Sequence, residues 1–103
     1  MSTQITNITI PYQQIQDFCE RNRIRKLALF GSVLRSDFGA DSDVDMLVEY
    51  EPEARVGLLG MAGHEIELTR LMSRKVDLRT PQDLSRFFRQ QVVEQAVSIY
   101  EPG

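Results

Sequence analysis

Apolar residues along this chain recur at two different periods, and the changes between them mark out its elements. From Pro11 to about Asn22 the apolar positions Tyr12, Ile15, Phe18 and Cys19 fall three or four apart, with Gln14, Asp17, Glu20 and Arg21 between them. This spacing predicts an amphipathic helix with Pro11 in its first turn. Ile24 to Phe30 ends in the unbroken run Leu27, Ala28, Leu29, Phe30 and reads as a central strand, apolar on both faces. Ser32 to Ser36 is expected as a helical turn, Asp37 to Ser42 as a polar loop around Gly39, and Val44 to Tyr50 as a second strand. The charged stretch Glu51 to Val56, with Pro52, breaks the regular structure. Ala62, Ile66, Leu68, Leu71 and Met72 predict a second helix to Ser73. Its approach through Gly57, Gly60 and Gly63 is soft, since a helix-interior glycine costs about 1 kcal/mol against alanine. That approach reads alternatively as a mobile segment near a substrate entrance.

Lys75 to Leu78 predicts a short third strand. Thr80, Pro81, Gln82 and Asp83 have the form of a helix start, with Thr80 as cap and Asp83 near the positive end of the dipole. Leu84, Phe88, Val92, Val93, Ala96, Val97 and Tyr100 then continue one closing helix. Met1 to Thr9 reads as loose, with Ile8 and Ile10 able to pack on the first helix. The predicted order is helix, strand, turn, strand, helix, strand, helix. It describes a three-strand mixed sheet flanked by helices, α/β or α+β by pattern alone.

Length and charge narrow the functions open to such a fold. The 103 residues are expected to form one domain, 1–103, large enough for a small core. Apolar residues make up 42% and charged residues 26%, the balance of a globular rather than a disordered chain. A formal net charge of −3 argues against nucleic acid as the main partner, because phosphate backbones call for a basic face. Apolar runs of a few residues fall far short of the roughly 20 that span a bilayer, and no signal peptide is apparent, so the cytoplasm is the expected location. The single cysteine, Cys19, excludes an internal disulfide and a cysteine-rich zinc site and reads as a small buried apolar residue. His64 has no second histidine or cysteine nearby and reads as a surface or helix-packing residue.

The chemistry concentrates between Phe30 and Tyr50. On a strand, Asp43 and Asp45 project from one face about 7 Å apart, and a divalent cation between them would turn repulsion into coordination. Aspartate is depleted in strands and costly to bury unpaired, which sets Asp45 within VDMLV and Asp77 within KVDL apart from ordinary surface acids. Gly31 and Ser32 follow the first strand, where a residue without Cβ lets a phosphate approach the backbone and a helical turn offers free N–H groups. Arg35, three residues on, reads equally as a phosphate donor or as a solvated arginine. An EF-hand fails: the loop that would begin at Asp41 has Met46 at the glycine position and Pro52 at the closing glutamate. No P-loop motif is present.

Together these pieces give G-S-x10-D-x-D followed by Lys75-Val76-Asp77-Leu78, with LFGS before the loop and AVSIYE near the end. The pattern resembles the minimal nucleotidyltransferase (MNT) family of the polymerase-β-like superfamily over nearly the whole chain. The resemblance implies an α+β fold with a small mixed sheet. It implies that Asp43 and Asp45 hold a nucleotide-side magnesium, and that Asp77 joins them at a second metal and takes the acceptor proton. Ser32 would bind the β or γ phosphate, with Gly31 allowing its approach. Many members of the family are antitoxins paired with a HEPN-domain RNase toxin, transferring AMP from ATP onto a toxin tyrosine, so the resemblance implies a protein partner and hetero-oligomer. Size points to the same expectation, since 103 residues leave no room for a second folded domain to hold a nucleic acid or an antibiotic, and a surface group on another protein is the expected acceptor. The competing expectation is a non-enzymatic module of the same shape that blocks its partner by contact alone.

Overall fold

The computed structural model describes residues 8–102. Helix α1 (Tyr12–Arg21) leads into β1 (Ile24–Phe30), a 3-10 turn (Gly31–Leu34) and β2 (Val44–Tyr50). Helix α2 (Leu58–Met72), β3 (Val76–Arg79), a second 3-10 turn (Pro81–Asp83), α3 (Arg89–Gln95) and β4 (Val97–Tyr100) follow. The sheet runs β3-β2-β1-β4. β1 is antiparallel to both neighbours and β2 is parallel to β3, so the sheet is mixed, as expected.

Strand alternation divides this sheet into two unlike faces. Leu27 and Leu29, then Val44, Met46 and Val48, with Val76, Leu78 and Ile99, form one buried cluster with Ile15, Phe18 and Cys19 of α1 and Leu68 and Met72 of α2. Each of these strand residues faces the helices. The intervening positions, Ala28, Asp45, Leu47, Asp77 and Arg79, therefore lie on the opposite face. Ala28 and Leu47 are buried there, while Asp45 and Asp77 are partly open.

α2 also seals the outer edge of β3. The Val76 N–H donates to Thr69 Oγ1 at 3.0 Å and the Leu78 N–H to Glu65 Oε2 at 2.8 Å. Four residues of helix rise about 6 Å and two residues of strand about 6.6 Å, so one turn of α2 matches the spacing of the outward N–H groups.

Three sequence expectations need correction. The closing segment is not one helix from Leu84 to Tyr100. The capping box of Thr80 and Asp83 starts only the second 3-10 turn, Arg89–Gln95 is helical, and Val97–Tyr100 pairs with β1 as a fourth strand. The spacing of Val93, Val97 and Tyr100 suits a helix, but β-branched Val97 and Ile99 beside an unpaired edge of β1 suit a strand, and the tertiary partner decides. Second, α2 starts at Leu58 and runs through Gly60 and Gly63 without a break. Third, its inward face is offset from the apolar pattern: Ile66 is 61% exposed, whereas His64 and Glu65 turn inward to make hydrogen bonds. Tyr12 likewise stands 55% exposed on α1. Ile10 is buried and Ile8 packs against the core, and the remainder of the expected loose segment, residues 1–7, lies outside the described residues.

Candidate functional site

β1 delivers the chain to Gly31, where the backbone takes φ +75°, a conformation that L side chains rarely adopt. Space makes a second, independent demand for glycine, because a Cβ here would overlap Oδ2 of Asp45. Gly31 therefore makes room for a carboxylate of the chain itself, a role the sequence does not reveal. Val33 is buried and anchors the 3-10 turn, and the Arg35 N–H closes it on the Ser32 carbonyl at 2.9 Å. The Ser32 backbone N–H donates to the Asp45 carboxylate.

Register brings the acids together. Asp45 lies opposite Phe30 on β1 and directly beside Asp77 on parallel β3, so both carboxylates leave the same face of the sheet. Asp43, two residues earlier, is exposed just outside the strand. Burial pushes the Asp45 carboxyl above its ordinary range. The Asp77 charge adds to this, the Ser32 N–H opposes it, Asp43 raises it further and Arg79 lowers it. The residues expected to share a site from G-S, D-x-D and KVDL thus meet at one end of the sheet.

Their side-chain partners differ. Asp77 pairs with Arg79, two residues on along the same strand face, at 3.3 Å, with the two side chains 35% and 47% exposed. Such a pair is worth little in water, roughly 0–1 kcal/mol. The Arg35 guanidinium is paired with Asp37 at 3.3 Å on the exposed side of the turn. Among the described residues, no three histidine, cysteine, aspartate or glutamate side chains are gathered closely enough to hold a metal ion.

Arg74, which sequence reasoning passed over, organises the loop ahead of Asp43. Its guanidinium donates to the carbonyls of Gly39 and Ser42 and lies 4.4 Å from the centre of the Phe38 ring. The Val44 N–H adds a bond to the Lys75 carbonyl at 2.8 Å, tying the start of β2 to β3. Arg74 and Arg79 bracket KVDL in the sequence, and that bracketing was the available signal for both.

A cleft of about 400 Å³ opens over the edge of β3 between Leu58, Met61, Ala62 and Glu65 of α2 and Asp77, Leu78, Arg79 and Asp83. A larger one, about 830 Å³, lies at the other end of the sheet among Arg21, Arg23, Arg55, His64 and the first turn of α2. Of the two, the smaller cleft is the one that reaches Asp77, and chemistry rather than volume decides between them.

A family model described as the nucleotidyltransferase domain matches residues 12–99. The chain belongs to this family. Two proteins of Methanocaldococcus jannaschii, each provisionally named a protein adenylyltransferase, are 31% identical to this nucleotidyltransferase over 77 residues, 74% of this chain and 76% of theirs. A solved structure described as a provisional minimal nucleotidyltransferase is 30% identical with a TM-score of 0.69, covering 84% of this chain and 86% of that one. A toxin–antitoxin crystal structure with AMP-PNP superposes with a TM-score of 0.71 at 21% identity, over 90% of this chain and 75% of that one. The complex of a tri-AMPylated Shewanella oneidensis HEPN toxin with its MNT antitoxin gives 0.62 at 20% identity, over 88% and 70%. The fold of three helices and a four-strand mixed sheet is that of a minimal nucleotidyltransferase.

Proposed function

We propose that this nucleotidyltransferase is a magnesium-dependent protein adenylyltransferase that acts as the antitoxin of a HEPN-domain RNase toxin, moving AMP from ATP to a tyrosine hydroxyl of its partner. The observation that carries the reading is the alignment of Asp45 with Asp77 across β2 and β3, next to a turn whose glycine is demanded by the Asp45 carboxylate. A chain selected only to dock has no reason to set like charges side by side. Relatives named as protein adenylyltransferases, and a superposable antitoxin whose toxin is AMPylated, agree with it.

The residue types suit magnesium: Asp43, Asp45 and Asp77 are hard oxygen donors at one end of the sheet, and burial and the neighbouring acids raise the Asp45 carboxyl, a cost that a cation would offset. Asp43, Asp45 and Asp77 would hold the ions, which when bound stabilise charge on the attacking and leaving oxygens. Ser32 would take a β or γ phosphate oxygen with its hydroxyl, its backbone N–H being already committed to Asp45. Arg35, one step beyond the turn, would exchange Asp37 for phosphate. Asp77, which lines the smaller cleft, would accept the proton of an acceptor hydroxyl as its oxygen bonds to the α-phosphorus and pyrophosphate departs.

The pairing of Asp77 with Arg79 favours a second reading, an inactive module that neutralises its partner by binding. Incubation with labelled ATP, magnesium and the HEPN-domain partner separates the two. Label on the partner, lost with Asp45→Ala in a folded protein, supports transfer. Neutralisation undiminished by Asp43→Ala and Asp45→Ala supports binding alone.

A further inference from the structure

Among the described residues, Arg79 both touches a candidate metal ligand, Asp77, and lines the cleft beside it. It stands on the same sheet face as Asp77 and Asp45, opposite Leu47 in register. Its two contacts with Asp77, 3.3 and 3.4 Å, are long for a charge-assisted pair, and both side chains remain partly open to water. A guanidinium held this loosely is replaceable. It also accounts for a mismatch in the site: the backbone sets Asp77 beside Asp45, yet no three-carboxylate seat is formed among the described residues.

We propose that Arg79 is a positioning residue that stands in for a cation at Asp77, holding this carboxylate toward the cleft until the metal–nucleotide arrives and then releasing it. The inference rests on the assignment of Asp43, Asp45 and Asp77 as metal ligands. Two consequences distinguish it from a surface ion pair. Without nucleotide, Arg79 competes with a metal for Asp77 and adds a repelling positive charge near the site. With a triphosphate bound, the displaced guanidinium has phosphate oxygens to turn to, so its presence favours metal and nucleotide binding together rather than metal alone.

Binding of Mn2+, followed by electron paramagnetic resonance or calorimetry with and without a non-hydrolysable ATP analogue, tests this directly. In Arg79→Gln the affinity for Mn2+ alone is expected to tighten roughly three- to tenfold, and the enhancement of Mn2+ binding by the analogue to shrink. Arg79→Lys, which keeps a charge, should lie near the wild type. The gain should vanish in Arg79→Gln combined with Asp77→Asn. An Arg79→Gln protein that is folded by circular dichroism and binds Mn2+ no more tightly than the wild type overturns the proposal, whatever its transfer activity. Failure of wild type to bind Mn2+ even with the analogue present would instead strike at the metal-dependent reading of the site itself, and would take this proposal with it.

Discussion

Two polar clusters sit at opposite ends of the same sheet and are built on opposite principles. At the C-terminal end of β2, Tyr50 Oη lies 2.8 Å from His64 Nδ1, and His64 Nε2 lies 3.2 Å from Asn22 Oδ1, while Asn22 Nδ2 donates to the Phe18 carbonyl at 2.8 Å. With Asn22 oriented by Phe18, its oxygen must accept, which assigns the proton of a neutral His64 to Nε2 and leaves Nδ1 to accept from tyrosine. Every group has a complementary partner. At the N-terminal end of β2, Asp45 instead lies beside Asp77 and Asp43, and the Ser32 backbone N–H and the Arg79 charge only partly offset its burial. The first cluster is arranged to hold α1, β2 and α2 together. The second sets like charges side by side, the arrangement on which the proposed metal site rests.

The contrast breaks most readily at Asp45. Asp45→Ala should lower AMP transfer by about 100-fold or more without unfolding the chain, measured by label incorporation into the partner. Gly31→Ala comes next: a positive φ and an overlap with the Asp45 carboxylate together should cost about 2 kcal/mol, read as a fall in the denaturant midpoint, with transfer reduced as well. At the other end, Tyr50→Phe leaves His64 Nδ1 unpaired and should cost about 1 kcal/mol with transfer unaffected.

The same network sets a pH signature. Burial holds the His64 pKa below its ordinary value of 6.5. On acidification the unfolded chain therefore takes up the proton first. The stability this residue contributes is present above the unfolded value and is lost as pH falls through the folded one, a loss that His64→Gln should remove from a melting profile.

The smallest expected effect has the opposite sign. The Asp45 carboxyl is raised, so whatever stability it lends is present below the unfolded value of 3.8 and lost as pH rises through the folded value. At neutral pH the ionised group opposes folding. Asp45→Asn should therefore stabilise the protein by about 0.5 kcal/mol once solvent screening is allowed for, while transfer collapses. A destabilised Asp45→Asn protein would erase the distinction between the two ends.

Most of this architecture is legible in the sequence, and the reasons for the exceptions are physical. β1 and β2 were bounded correctly because a continuous apolar run and an alternating one each carry a strong local signal. The acids that share a sheet face, Asp45 and Asp77, were legible because aspartate in a strand contradicts local preference. The fourth strand was not, since Val97–Tyr100 acquires its identity from the free edge of β1, some seventy residues away in the chain. The inward face of α2 was missed for a related reason: Glu65 and Thr69 turn toward the sheet to bond its edge, and polar residues used this way are invisible to an apolar template. The ligands of the proposed site could be named from the sequence, but Arg79 and Arg74 acquire their meaning only from the strand register and the loop they touch.

The helix-to-edge bonds made by Glu65 and Thr69 have a further consequence. With the outward amides of Val76 and Leu78 occupied, β3 offers no template on which another chain's strand could add. Among the described residues, strand pairing by another chain is thereby directed to the β4 border, on the far side of β1 from Asp45 and Asp77.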